Sequence, residues 1–483
     1  MLLKSNKFLY YLILINWVFL LLSINANPYN IDKYENITFL INNIRIIIPL
    51  LISCILFIIF LFLLKTNLKT FIQKKNIIYF LFILYFLIQL FGLTTTPDRF
   101  FSIENTYLAI FGINSLIILI IIENFFSREN SIKLKKIIFI MSIFLITSAA
   151  IIIFYFVCSK IGFAGFLILY NFIDPNDTFL GQILPRVTGF ARMLAIIGIF
   201  IFIYAITNNL LKNKIILLTQ FFLALLIVFI QSRGAILCYF FIVILIILFE
   251  IKNNFQKIFL FIIIILLPFV IQVTLMSNNK INNILQESLV NNLEIRLNSN
   301  MIKSGNLSKN LDSTKNQEVI NNKMKESNID KIRLYKNLST SGRTFLWKSI
   351  IERYDKNKLF GYGPQADRFL LGNGLEKLYG FGNNVSNAIL YAFACSGYFG
   401  FFLMILIYIM IIYLIYDNFF IKKIFLNNDN FFKKIAFYFV IFFIIRSIFE
   451  NSFAYFGIDF LIIVTSIGIL INDNYVKLFL KSK

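Results

Sequence analysis

Twelve apolar runs, each near the roughly 20 helical residues needed to cross a hydrocarbon core of about 30 Å, dominate the sequence. They fall at approximately 8–25, 45–64, 77–95, 106–126, 137–158, 188–207, 214–231, 234–251, 257–276, 398–416, 434–450 and 453–472. Backbone placed in lipid must satisfy its own hydrogen bonds, and unbroken runs of this length do so as helices. The expected fold is therefore an all-α polytopic membrane protein of about twelve transmembrane helices. Hydrophobic residues make up 59% of the chain and charged residues only 14%, against the usual quarter or so in soluble domains, so a water-soluble fold is excluded. The first run follows Lys4 and Lys7 and precedes small residues near Ala26, a pattern shared with signal peptides; its length reads as a retained helix.

The net charge of +22 would ordinarily raise nucleic acid as a partner, but the lysines and arginines sit mainly in the short gaps between apolar runs. No nucleic-acid partner is expected. With the amino terminus inside, the seven inner segments hold 21 basic residues and the short outer segments with their flanks hold eight, which fixes both termini on the cytoplasmic side. Three parts follow: residues 1–276 with nine helices, a large outer loop at 277–383, and a re-entry segment with three more helices at 384–483. Of the eight outer basic residues six are arginine, whereas the inner segments carry a single arginine. A planar guanidinium suits phosphate or carboxylate, so the asymmetry points to an anion at the outer face, or else to arginines pairing with local carboxylates.

Histidine is absent, which removes histidine bases and histidine metal ligands. The four cysteines, Cys54, Cys158, Cys238 and Cys395, lie in or beside apolar stretches without metal or disulfide spacing. No metal and no cofactor are expected. Chemistry is left to carboxylates, arginines, hydroxyls, tyrosines and backbone groups.

Polar groups at membrane depth are costly and mark candidate sites. They occur at Pro185–Arg192, with Arg186 and Arg192; at the near-loopless turn Gln231-Ser232-Arg233-Gly234; and at Arg446–Ser452, with Glu450, followed by Asp459. Arg446 and Glu450 are four apart, so an internal helix pair is one reading of them. The outer loop is Asn-, Lys- and Ser-rich to about Asn337. It then becomes patterned: Ser339–Lys348 with hydroxyls before an amphipathic run containing Arg343 and Trp347, a glycine turn Leu359–Pro364 with Tyr362, and Asn383–Asn387 ahead of a helix with Gly397 and Gly400. Tyr362 and Trp347 read either as a sugar-stacking face or, for Trp347, as loop core.

These motifs resemble the O-antigen ligase and O-antigen polymerase superfamily of surface-polysaccharide assembly. The topology agrees over most of the chain. Arg233 with Leu237, Arg343 ahead of Leu346-Trp347, the turn from Asn357 to Gly363, and Ser386-Asn387 followed by Gly397 and Gly400 match short family motifs in order. Ser386 stands where the ligases carry a histidine, and the Arg446–Ser452 segment looks like the polymerase branch, so polymerase is favoured over ligase.

The resemblance implies a GT-C-like glycosyltransferase of the bacterial inner membrane. Its donor would be an undecaprenyl-diphosphate-linked glycan at the periplasmic face, and a chain-length regulator a possible partner alongside the bilayer. It implies Arg233 and Arg343 stabilising the leaving diphosphate with Arg186 or Arg192 assisting, Glu450 or Asp459 as base, and Ser386, Asn387, Tyr362 and Arg446 in substrate binding. A flippase or transporter is the rival class, disfavoured by nine helices before the loop, three after it and no visible repeat.

Overall fold

The computed structural model describes residues 2–23, 35–66, 77–96, 99–169, 178–179, 182–185, 187–277, 343–355, 359–371, 385–424, 431–454 and 457–471. Each of the twelve apolar runs falls on a helix. In chain order these are α1 (Leu2–Ser23), α2 (Glu35–Thr66), α3 (Ile77–Gly92), α4 (Arg99–Phe125), α5 (Arg128–Leu169), α6 (Val187–Thr207), α7 (Lys214–Phe229), α8 (Arg233–Glu250) and α9. The last of these runs as Asn254–Leu260, the π-helical Phe261–Leu266 and Leu267–Ser277. The patterned loop gives two short helices, α10 (Arg343–Arg353) and α11 (Ala366–Leu371), before α12 (Ala388–Tyr416), α13 (Phe431–Phe449) and α14 (Ile458–Leu470). The described strands are two-residue segments, Thr178–Phe179 paired antiparallel with Gln182–Ile183. Most of the loop's first part, 278–342, lies outside the described residues, as do its boundary residues near 383.

Six helices are long and apolar enough to cross a membrane: Glu35–Phe62, Arg128–Lys160, Thr188–Thr207, Arg233–Glu250, Asn254–Leu275 and Ala388–Ile421; five more are apolar but shorter. The protein is an all-α polytopic membrane protein. α1 joins the bundle: Trp17 is fully buried and its indole N–H donates to Ser142 Oγ of α5 at 3.1 Å.

α14 is apolar on every side and buried along its length, as an all-round hydrophobic helix must be. It packs on α13, α5 and α4, while α13 also packs on α6, α8 and α12. α8 and α13 run antiparallel, which fixes two ends of the bundle. At one end Gly234 faces Phe449; at the other Glu250 meets Lys434 at 2.5 Å.

A second, smaller core sits beside the main one, built from Ile350, Tyr354, Tyr362, Leu370, Val385, Tyr391 and Cys395. It locks the loop's return onto α12. α12 breaks its helix at Gly397, where φ is 64°, and the turn at Gly361, φ 73°, lies against the break. A Cβ on Gly397 would come within 2.2 Å of Leu359 O, and one on Gly361 within 2.5 Å of Gly397 N, so both positions require glycine. Tyr362 N–H donates to Ala394 O at 3.2 Å and Gly363 N–H to Cys395 O at 3.0 Å, so the turn supplies partners to carbonyls that the break frees. Thr95, just past α3, donates to Gly361 O at 2.6 Å from the other side.

Candidate functional site

The arginine-bearing helix ends converge at one end of the bundle. Arg192 lies in the first turns of α6, Arg233 opens α8, Arg446 lies in the last turn of α13, Asp459 in the first turn of α14, and Arg343 opens α10. Each sits where an antiparallel neighbour ends or begins, which is why positions far apart in sequence share one layer.

Asp459 is the fixed point. It is buried and its Oδ2 accepts from Arg446 Nη1 at 2.6 Å and from Arg192 Nη1 at 3.0 Å. The α14 amino terminus adds partial positive charge beside this carboxylate. Arg446, 4% exposed, also donates to Ser452 Oγ at 2.8 Å. Burying a guanidinium is tolerable only with such partners.

Glu450 follows the last residue of α13 and turns outward. Its Oε1 meets Arg343 Nη2 at 2.9 Å, with side chains 18% and 20% exposed, so this pair keeps access that the Asp459 pair lacks. The four-residue spacing of Arg446 and Glu450 therefore does not close an internal helix pair; Arg446 pairs with Asp459 of α14 and Glu450 with Arg343 of α10. Arg233 stands next to Gly234, which faces Phe449, the residue before Glu450.

Asn387 caps α12: its Oδ1 accepts from the N–H groups of Ile389 and Leu390 at 3.0 and 2.9 Å. Its Nδ2 donates to Ile448 O at 3.1 Å, bringing the Ser386-Asn387 step against the end of α13, two residues from Glu450. Ser386 has φ 47°, a left-handed conformation uncommon for serine.

Tyr362 lies in the smaller core, not in the arginine cluster. Its hydroxyl accepts from Asp355 N–H at 3.2 Å and its ring meets Tyr354 edge-on. Burial pushes the Tyr354 and Tyr362 hydroxyls above the ordinary phenol value, so both remain protonated near neutrality. Trp347 is half-buried against the same core and donates Nε1–H to Val385 O at 2.8 Å. Arg186 lies outside the described residues.

The sequence reading did not single out Asp367. This carboxylate is 2% exposed and accepts from Val385 N–H at 3.1 Å. Its one signal was an acid three residues after the Gly-Tyr-Gly-Pro turn. Cys238 and Cys395 are buried, Cys158 is intermediate and Cys54 exposed. Among the described residues no group of three or more His, Cys, Asp or Glu is arranged to hold a metal.

Chemically the cluster gathers, among the described residues, the guanidiniums of Arg192, Arg233, Arg343 and Arg446 near the carboxylates of Glu450 and Asp459. An arrangement of this kind can bind an oligoanion and stabilise negative charge developing on it. A family model described as O-antigen ligase matches residues 218–405. That stretch contains Arg233, Arg343, Tyr362, Ser386 and Asn387; Arg192, Arg446, Glu450 and Asp459 lie outside it, and the Arg343–Glu450 ion pair and the bond from Asn387 to Ile448 O join the two parts. No curated protein and no solved structure matches the chain.

Proposed function

Taking as premise that residues 218–405 form a domain of the O-antigen ligase and polymerase superfamily, we propose that this protein is a surface-polysaccharide polymerase of the bacterial inner membrane. It is a metal-independent glycosyltransferase that moves a growing glycan from undecaprenyl diphosphate to a sugar hydroxyl of another lipid-linked repeat unit. The arginine end faces the periplasm in this reading and both termini the cytoplasm, as the distribution of basic residues favours. The observation that carries it is the meeting of Arg343 and Glu450, partly exposed, beside the cationic Arg192–Asp459–Arg446 group.

The chemistry then runs as follows. The donor diphosphate binds Arg343 and Arg233, with Arg446 and Arg192 supplying positive potential behind them. Drawing Arg343 onto phosphate releases Glu450 from its ion pair. The acceptor hydroxyl, positioned by Ser386 and Asn387, attacks the anomeric carbon while its proton passes to the Glu450 carboxylate. The bond from that carbon to the diphosphate oxygen breaks, its electron pair stays on the diphosphate, and the guanidiniums stabilise the added charge. Asp459 is held by two arginines and serves to fix them; Glu450 is the more accessible carboxylate and hence the base.

The family description favours a second reading, an O-antigen ligase delivering finished polymer to a lipid A-core acceptor. Ser386 in place of the ligases' histidine favours the polymerase. Deleting the gene and profiling surface glycan separates the readings. A polymerase deletion leaves surface material capped with a single repeat unit. A ligase deletion leaves full-length polymer on its lipid carrier, and loss of a flippase leaves no repeat unit exposed; either of these outcomes overturns the polymerase assignment.

A further inference from the structure

α10 carries Arg343 and Trp347 four residues apart, hence on one face. Arg343 reaches Glu450 at 2.9 Å, while Trp347 Nε1 donates to Val385 O at 2.8 Å. Two residues beyond Val385, Asn387 Nδ2 donates to Ile448 O at 3.1 Å, and two residues beyond Ile448 stands Glu450. These contacts close a ring: from α10 to the 385–387 step, to the end of α13, and back to α10. Asp367 braces the ring from outside by accepting the Val385 N–H at 3.1 Å, so both the N–H and the C=O of this fully buried valine are held by side chains.

The held residue has no chemistry of its own, but the next is Ser386 in a left-handed conformation. A serine there costs on the order of 1–2 kcal/mol and persists only where its surroundings enforce it. Asp367 is a nearly inaccessible carboxylate facing a backbone amide, an arrangement that an apolar residue would replace at lower desolvation cost if packing were its only task. Trp347 spends its indole N–H on a carbonyl in the same clamp.

We propose that Trp347 and Asp367 are positioning residues, clamping Val385 so that Ser386 and Asn387 stay at a fixed distance from Glu450. The proposal rests on the transferase reading above, in which those groups meet the acceptor sugar. Misplacing an acceptor by about 1 Å costs on the order of a hundredfold in such reactions, so a two-sided clamp on a strained step has a direct catalytic consequence.

The test uses the full-length protein in lipid vesicles with lipid-linked oligosaccharide as donor and acceptor. Trp347→Phe, Asp367→Ala, Asp367→Asn and Arg343→Ala are compared for kcat, acceptor KM, donor KM and thermal melting. Trp347→Phe keeps the ring and removes only the donor. Asp367→Asn keeps an acceptor oxygen for Val385 N–H. Trp347→Phe and Asp367→Ala are expected to raise acceptor KM or lower kcat by roughly tenfold or more, with donor KM unchanged and Asp367→Asn within about threefold of the parent. Unchanged acceptor KM and kcat in the first two variants, with Arg343→Ala inactive, overturns the clamp and leaves the transferase reading standing. Losses that track melting alone, with no rescue by Asp367→Asn, overturn it as well. Full transfer by Arg343→Ala removes the transferase reading and the clamp with it.

Discussion

The two ends of the helix bundle both bury ion pairs, yet they use them differently. At the lysine end Lys434 and Glu250, 1% and 2% exposed, pair at 2.5 Å, and Tyr438 adds a hydrogen bond to the same carboxylate at 3.2 Å. Lys135 pairs with Glu123 and donates to Gly468 O at 2.8 Å, tying α5, α4 and α14 together. Lys422 closes on Asp417 at 2.5 Å. Each of these carboxylates pairs with one lysine. At the arginine end one carboxylate, Asp459, is shared between two guanidiniums, and the Arg343–Glu450 pair stays about one fifth exposed. Lysine presents a compact charge that one carboxylate neutralises, whereas arginine's fork keeps donors to spare after its first partner. The lysine end thus holds helices together, and in the function proposed above the arginine end is where the substrate's anion binds.

Substitutions at the two ends should separate rate from stability. Arg343→Ala is expected to have the largest effect on transfer, a loss of about 10²- to 10³-fold in kcat with the helical fold retained by circular dichroism, because it removes a donor aimed at developing charge. Glu450→Gln should lower kcat by about 10²-fold or more while leaving donor binding close to the parent, measured by donor KM. At the other end Lys434→Met strands a buried Glu250 and should cost about 3–5 kcal/mol of stability, read as a lower melting temperature, with the rate per folded molecule unchanged. Replacing both partners, Lys434→Met with Glu250→Leu, should recover most of that loss, since the uncompensated charge is gone. The smallest effect belongs to Lys348→Ala, whose exposed pair with Glu352 at 3.6 Å should contribute less than about 1 kcal/mol. A Lys434→Met protein that folds normally but transfers slowly would erase the distinction between the ends.

The helices were legible because lipid leaves the backbone little choice: every apolar run became a helix, and the differences are at the ends. α2 begins ten residues before its apolar run and carries Pro49 inside it; α14 is shorter than its run because the chain turns at Asn451–Ala454 to bring Asp459 beside Arg446. The site was legible by composition, since arginines gather on one side of the topology, but its pairings were not. Spacing linked Arg446 to Glu450, and the Glu450 N–H does bond Arg446 O at 2.8 Å, but their side chains part: Arg446 turns to Asp459 and Glu450, just past the end of α13, meets Arg343, 107 positions away. The glycine turn at Leu359–Pro364 was legible as a turn, but not that what lies against Gly361 is the broken helix at Gly397. Asp367 was invisible for a related reason: the bond it accepts from Val385 comes from a backbone amide, which has no sequence signature.

The most direct test of the central claim is the transfer rate per folded molecule of Arg343→Ala beside Lys434→Met, each purified full length, placed in lipid vesicles and supplied with the same lipid-linked oligosaccharide. The expected result is a loss of about a hundredfold or more for Arg343→Ala and a parental rate for Lys434→Met, despite the latter's lower melting temperature. Equal rates for the two variants would contradict the assignment of anion chemistry to the arginine end.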